Sequence, residues 1–166
     1  MPDRSSLFVG RSGELAVLSE FMSRGYNVAT PEIDLGEDVF VIEDDKQDFW
    51  PIQIKTATAV ESSDGSCSGQ FKFRRDQLVS TRNLELTYVL TLRRQGKWAS
   101  FLIIPREELY DRYASGELGK QEGEQLTWNF RYDRGGVTCQ KCDFSKFERA
   151  WDLKWPDILN TEIQTR

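Results

Sequence analysis

The sequence predicts an α/β or α+β fold in which helices flank one central mixed β-sheet. Three observations predict it: an amphipathic helical pattern near the N terminus, several short apolar strands after it, and a second helical pattern beyond them. No internal repeat or linker divides the chain. We therefore expect a single domain over residues 1–166, with a core over about residues 10–104 and an aromatic-rich C-terminal extension over about 105–166.

The first half begins with a predicted helix over residues 12–24, with Ser12 as its N-cap and Gly25 just beyond its end. A short strand over residues 26–30 follows. The apolar run over residues 38–42 predicts a strand that is buried on both faces. An acidic turn over residues 43–48 leads into a strand over residues 49–56, whose side chains alternate between two faces.

The second half begins with a polar loop, rich in Gly and Ser, over residues 61–69, and a short helix within residues 71–81. Residues 86–94 and 97–104 predict a hairpin, and Pro105 suits the start of a helix. A strand over residues 126–132 and a closing helix over residues 145–155 complete the series. The four-residue spacing of Phe147, Trp151 and Trp155 assigns them to the core.

Composition restricts the chemistry that the chain can perform. Its 166 residues include 22 Lys and Arg, 27 Asp and Glu and no His, for a formal net charge of -5. Catalytic triads, imidazole bases and His-containing zinc sites are therefore excluded. No run approaches about 18 apolar residues and no signal-peptide pattern is present, so we expect a cytoplasmic protein without a membrane partner.

Ionisable and amide side chains stand where the local patterns favour apolar ones. Glu14 shares a side of the first helix with Val17 and Phe21, and Asp38 opens an otherwise apolar strand. Gln53 and Lys55 lie on one face of a strand whose opposite face is isoleucine. Exposure at element ends or at a sheet edge is the simpler explanation of each one taken singly.

The order of these residues resembles the PD-(D/E)XK nuclease superfamily, which has the restriction-endonuclease-like fold. The resemblance rests on the run Asp-Leu-Gly-Glu-Asp at residues 34–38, a strand, an acidic turn and Gln53-Ile54-Lys55, with Glu14 on the preceding helix. Gln53 replaces the usual second carboxylate. The resemblance implies that Glu14, Asp38 and Gln53 bind metal around a scissile phosphate and that Lys55 is the catalytic lysine.

The chemistry of the same residues is consistent with a Mg²⁺ or Mn²⁺ site. Asp38 is the principal candidate ligand, with the Gln53 amide oxygen and the main-chain carbonyl of Ile54 beside it. The neutral Gln53 leaves one negative charge fewer, which predicts weaker metal binding. Lys55 is placed to orient water or to stabilise negative charge. Asp34 and Glu37 are either outer ligands or solvated turn residues.

Aromatic and basic residues alternate in the run Phe-Lys-Phe-Arg-Arg at residues 71–75, a pattern suited to nucleic acid. The candidate contacts are Lys72, Arg74, Arg75 and Arg82. A helix start with packed Phe and exposed Arg explains the run equally well.

Three cysteines, Cys67, Cys139 and Cys142, are too few for a closed four-ligand zinc site without His. Cys139 and Cys142 are spaced like half of a zinc knuckle. The missing ligands would have to come from Cys67 or from the cysteines of a second chain. Unligated thiols are the simpler interpretation.

The function predicted from the sequence is hydrolysis of DNA phosphodiester bonds by a divalent-metal-dependent endonuclease. Duplex cutting with one site per chain implies a homodimer. Two alternatives remain: a weakly active or inactive module of the same fold that binds nucleic acid or protein, and an unrelated α/β domain.

Overall fold

A computed structural model describes residues 4–33, 36–44, 48–80 and 85–152 of the chain. These residues form two β-sheets and three α-helices. The helices are α1 (Arg4–Ser23), α2 (Arg75–Val79) and α3 (Arg106–Ala114), with a 3-10 turn at Ser145–Phe147. The strands are β1 (Asn27–Ala29), β2 (Val39–Glu43), β3 (Asp48–Thr58), β4 (Val60–Glu61), β5 (Cys67–Arg74), β6 (Thr87–Arg94), β7 (Lys97–Pro105), β8 (Gln125–Asp133), β9 (Gly136–Cys139) and β10 (Cys142–Asp143). The predicted α+β class is confirmed.

The first sheet is mixed and has the order β1-β2-β3-β6-β7. β3 pairs antiparallel with β2 and parallel with β6, so it lies at the centre of the sheet. One face packs against α1, whose Val17 and Phe21 join Ile52 and Ile54 of β3 in a buried cluster. Trp151 closes this cluster, with its ring 5.1 Å from that of Phe21.

The second sheet is antiparallel and has the order β10-β9-β8-β5-β4. Its inner face packs against the other side of the first sheet in a second buried cluster that includes Phe71, Phe73, Leu90 and Trp128. The sequence predicted a single sheet, so this second layer is a correction. It covers the face that a helix was expected to cover, and β8 of the C-terminal segment pairs with β5 of the core.

One end of the second sheet is only two strands wide. β4 reaches β5 only at Cys67 and Ser68, and β9 reaches β8 only from Phe130 to Asp133. Toward the other end of the ladder, residues 70–74 of β5 and residues 125–129 of β8 pair with each other alone among the described strands. We call these ten residues the β5–β8 ribbon.

Gly13 sets the distance between α1 and the first sheet. A Cβ atom at Gly13 would lie 2.1 Å from Thr56 Oγ1 and 2.9 Å from Thr91 Oγ1. The two hydroxyls are themselves hydrogen-bonded, at 2.9 Å. The helix therefore approaches β3 and β6 more closely than any larger residue would permit, which brings the neighbouring Glu14 to the end of β2.

Three predicted elements before residue 70 differ from the structure. α1 starts at Arg4, so Ser12 is not its N-cap; Ser12 Oγ donates within the helix to the carbonyl of Val9 at 2.9 Å. β2 buries alternate residues rather than both faces, because the second sheet does not reach it. The predicted loop over residues 61–69 contains the start of β5.

The closing helix predicted over residues 145–155 is also wrong within the described chain. Only Ser145–Phe147 is helical, and the backbone then leaves the helical region, with Arg149 at φ 53°. Phe147 and Trp151 are nevertheless buried, as expected for core residues. Trp155 lies outside the described residues. The β6–β7 hairpin and the helix after Pro105 form as predicted.

Candidate active site

Asp38 directly precedes β2, at the end of that strand where β3 continues without a β2 partner. Its main-chain N–H donates to the carbonyl of Ile52 at 2.8 Å, the last backbone link between the two strands. Its carboxylate accepts the N–H of Ile54 at 2.6 Å and the side-chain NH₂ of Gln53 through the same oxygen, Oδ2. The carboxylate thus takes the position that another β2 residue would occupy.

β3 contributes to this site both side chains from one face and main-chain groups from one edge. Gln53 and Lys55 alternate with Ile52 and Ile54, so they point away from α1. In a strand the N–H and C=O of one residue point to the same side, so the Ile54 carbonyl lies on the edge where its N–H meets Asp38. Gln53 is 6% exposed, whereas Lys55 is half-buried.

Gln77 is part of the site, although nothing in the sequence pattern singled it out. From the short helix α2, its Nε2 donates to the Gln53 Oε1 at 2.9 Å and to the carbonyl of Gly36. The Oε1 of Gln77 is buried and has no hydrogen-bond partner among the described residues. Gln77 therefore fixes which way the Gln53 amide faces.

Glu14 reaches the same region from α1. It forms an ion pair with Arg11 at 2.5 Å and, with Glu37 and Asp38, lines a cleft of about 240 Å³ at the end of β2. Glu37 therefore borders the site, whereas Asp34 lies outside the described residues.

The residues at this site could hold a hard divalent cation only if carboxylate, amide and main-chain oxygens all served as ligands. No three His, Cys, Asp or Glu side chains of the described chain converge closely enough to hold a metal ion. The Asp38 carboxylate and the Ile54 carbonyl lie on one edge of β3, whereas the Gln53 side chain presents its NH₂ group to Asp38 and its oxygen to Gln77. Carboxylate, amide and main-chain oxygens are ligands that Mg²⁺ and Mn²⁺ accept, so the residues fit such an ion.

The predicted nucleic-acid contacts fall on different elements. Lys72 and Arg74 point outward from β5, Arg75 is the first residue of α2, and Arg82 lies outside the described residues. Arg74 forms an ion pair with Asp76, whose pKa is lowered chiefly by the hydrogen bonds from that guanidinium. The aromatic residues of the same run, Phe71 and Phe73, are buried in the core.

The cysteines are free, buried thiols. Cys139 and Cys142 face each other across the β9–β10 turn, and Cys142 Sγ lies 3.4 Å from Glu117 Oε2. Burial raises the pKa of the Cys139 thiol to about 12, which opposes the thiolate form that zinc requires. No zinc-binding group is present among the described residues.

The comparisons with known proteins give structural matches only. No protein-family model and no curated protein matches the chain. The bacterial homing endonuclease I-Ssp6803I is 16% identical with a TM-score of 0.43, over 76% of this chain and 75% of that chain. Hjc, a Holliday junction resolvase from Archaeoglobus fulgidus, is 12% identical with a TM-score of 0.40, over 76% of this chain and 84% of that chain.

At these identities and TM-scores we transfer no activity and no residue role from either protein. No helix in the described part of the chain has the length and apolar character to cross a bilayer.

Proposed function

We propose that the chain is a divalent-metal-dependent endonuclease that hydrolyses phosphodiester bonds of DNA. The observation that carries the proposal is the convergence of Asp38, Gln53 and Ile54 where β2 and β3 part, with Lys55 on the same face of β3 as Gln53. A carboxylate, a main-chain carbonyl and a lysine beside an open strand edge are suited to phosphate chemistry, and the Gln53 oxygen joins them once its amide turns.

Asp38, Gln53 and the Ile54 carbonyl would hold Mg²⁺ or Mn²⁺, with Glu14 and Glu37 bordering the same cleft. The ion, when bound, neutralises phosphate charge and lowers the pKa of water. Lys55 orients the attacking water or stabilises negative charge on the phosphate. An Arg would be a poor substitute in a proton-transfer role, because its guanidinium stays protonated. Lys72, Arg74 and Arg75, with Arg82, contact the DNA.

The protein acts as a homodimer in this proposal, because each chain offers one such site and a duplex has two strands. Light scattering in the buffer used for cleavage tests this. A monomeric mass under conditions of double-strand cutting would contradict it.

A second candidate is a module of the same fold that binds nucleic acid or protein without cutting. The Gln53 amide favours it, since this side chain presents its NH₂ group to Asp38 rather than its oxygen. Metal binding at Asp38 and Gln53 together requires that amide to turn, and a chain in which it never turns would bind no metal there.

The deciding experiment is nicking of supercoiled plasmid in Mg²⁺, Mn²⁺ or EDTA. Asp38→Asn preserves an acceptor oxygen for the Ile54 amide, and Lys55→Ala removes the amine; both should abolish cutting. Asp44→Ala, which removes an exposed carboxylate just past β2, is the matched control and should cut normally. Metal-dependent cutting that persists in both Asp38→Asn and Lys55→Ala would show that the active site is not the one assigned. Wild-type protein that binds DNA without cutting it would favour the non-cleaving binding module.

A further inference from the structure

The outward face of the β5–β8 ribbon has an unusual composition. Its side chains are Gln70, Lys72 and Arg74 on β5 and Gln125, Thr127 and Asn129 on β8. All six side chains have groups that can form hydrogen bonds and none is a carboxylate, although acidic residues outnumber basic ones in the whole chain, 27 to 22. Five are exposed and Thr127 is half-buried. A face selected only for solubility would be expected to carry both signs of charge.

The inner face of the ribbon holds it rigidly in place. Phe71, Phe73, Leu126 and Trp128 alternate with the outward residues and are each no more than 1% exposed. The side chain of Gln121 also binds the free outer edge of β8, accepting the Thr127 N–H at 2.7 Å and donating to its carbonyl at 2.6 Å. The outward side chains therefore project from a fixed support.

The dimensions of the ribbon match the major groove of duplex DNA. Two strands about 4.8 Å apart fit a groove about 12 Å wide, which admits a two-stranded β-ribbon. Successive outward residues on one strand are about 6.8 Å apart, close to two base-pair steps of about 3.4 Å. The sheet becomes wider only at Ser68, where β4 joins β5, and at Phe130, where β9 joins β8.

The ribbon also lies beside β3, the strand that carries Gln53 and Lys55. At one end, Ser68, Gln70 and Asn129 share a cleft of about 480 Å³ with Thr56 and Thr58 of β3. At the other end, β5 runs directly into α2, whose Gln77 contacts Gln53. A duplex with a phosphate at Lys55 would therefore lie next to the ribbon.

Resting on the proposed function, we propose that the β5–β8 ribbon enters the major groove of the substrate DNA and gives cleavage its sequence preference. Gln70 and Asn129 lie directly opposite each other in the register, and their amides suit the N6 and N7 edge of adenine. Lys72 suits the N7 and O6 edge of guanine. Arg74 is held by Asp76 and is assigned to a phosphate.

The test is cleavage of a duplex library with about 30 randomised base pairs, followed by sequencing of the cut ends. Wild type, Gln70→Ala and Asn129→Ala are compared with Thr138→Ala, an exposed residue on β9 that lies outside the ribbon. Wild type should cut with a sequence preference. Each ribbon variant should relax that preference about tenfold at one or two base pairs, whereas Thr138→Ala should keep the wild-type profile.

A second library, in which 7-deaza-adenine replaces adenine, tests whether the protein reads the major groove. The modified base lacks only the N7 acceptor, which lies in that groove. The proposal expects wild type to lose its preference for adenine at the positions that Gln70→Ala and Asn129→Ala relax. Unchanged profiles in both variants, cutting by wild type without preference, or better cutting of duplex RNA would overturn the ribbon proposal while the nuclease stands. Absence of any metal-dependent cutting by wild type would overturn both.

Discussion

The Nε2 of Gln77 donates a hydrogen bond of 2.9 Å to the Oε1 of Gln53, across 24 residues of sequence. Because Gln53 in turn donates to Asp38, the two amides and the carboxylate form one directed chain of hydrogen bonds. A cation at Asp38 favours the opposite orientation of Gln53, with its oxygen toward the ion. The buried Oε1 of Gln77, without a partner among the described residues, is the acceptor that a turned Gln53 NH₂ would need.

Gln77→Glu should therefore tighten binding of a divalent cation. The substituted carboxylate accepts hydrogen bonds but cannot donate them, so it favours the Gln53 orientation that presents oxygen to Asp38. Calorimetric titration with Mg²⁺ measures the effect in the absence of DNA. Gln140→Glu, an exposed substitution in the β9–β10 turn, adds the same charge elsewhere and should leave the affinity unchanged. Equal or weaker affinity in Gln77→Glu would contradict the orientation argument.

Gln53→Glu should make folding stability depend on metal. Without metal the new carboxylate faces Asp38, and the two negative charges repel each other in place of a hydrogen bond. With Mg²⁺ the added charge strengthens binding and hence stabilises the folded state. Thermal unfolding should show a lower Tm than wild type in EDTA and a larger rise on adding Mg²⁺. A Tm equal to wild type in both conditions would show that the two side chains do not interact.

Gly13→Ala should destabilise the fold by about 1–3 kcal/mol, because the new methyl group collides with the Thr56 side chain and forces α1 away from the sheet. Gly10→Ala in the same helix is the matched control. Nothing lies within 4 Å of a Cβ at Gly10, so that substitution should stabilise the protein by about 0.5–1 kcal/mol through helix propensity. Urea unfolding measures both, and a Gly13→Ala variant as stable as wild type would refute the close approach.

Cys139 should resist alkylation in the native protein. Burial raises the pKa of its thiol to about 12, so little thiolate forms at pH 8. Because the folded pKa lies above the unfolded value of about 8.5, this thiol favours the folded state below pH 8.5, and that contribution is lost as the pH rises toward 12. Mass spectrometry after iodoacetamide treatment, with and without urea, measures the protection. Rapid native alkylation of Cys139 would contradict its burial.

The core of the site could be predicted because it depends on local geometry. Strand alternation places Gln53 and Lys55 on one face, and the short connection between β2 and β3 brings Asp38 beside them. No local period relates Gln77, on a five-residue helix, to Gln53, so only the folded structure identifies it.

The second sheet could not be predicted, because its pairing depends on tertiary contacts. The run Cys-Ser-Gly at residues 67–69 has weak strand propensity and was predicted to lie in the loop over residues 61–69. In the structure it pairs with β8, and a Cβ at Gly69 would lie 2.6 Å from Leu92 of the facing sheet. Gly69 therefore serves close packing between sheets rather than a turn. Likewise, Trp151 reaches the core without the helix that its spacing suggested.

The parallel pairing of β3 with β6 has a kinetic consequence. The β2–β3 hairpin can form as soon as residue 58 is available, which brings Asp38 to Ile54 early. β3 gains its second neighbour only after the chain has passed through β4, β5 and α2, and β5 waits longer still for β8. Such distant pairings slow folding. A nascent chain therefore holds Asp38 against Ile54 before the second sheet exists, and the β5–β8 ribbon is completed last.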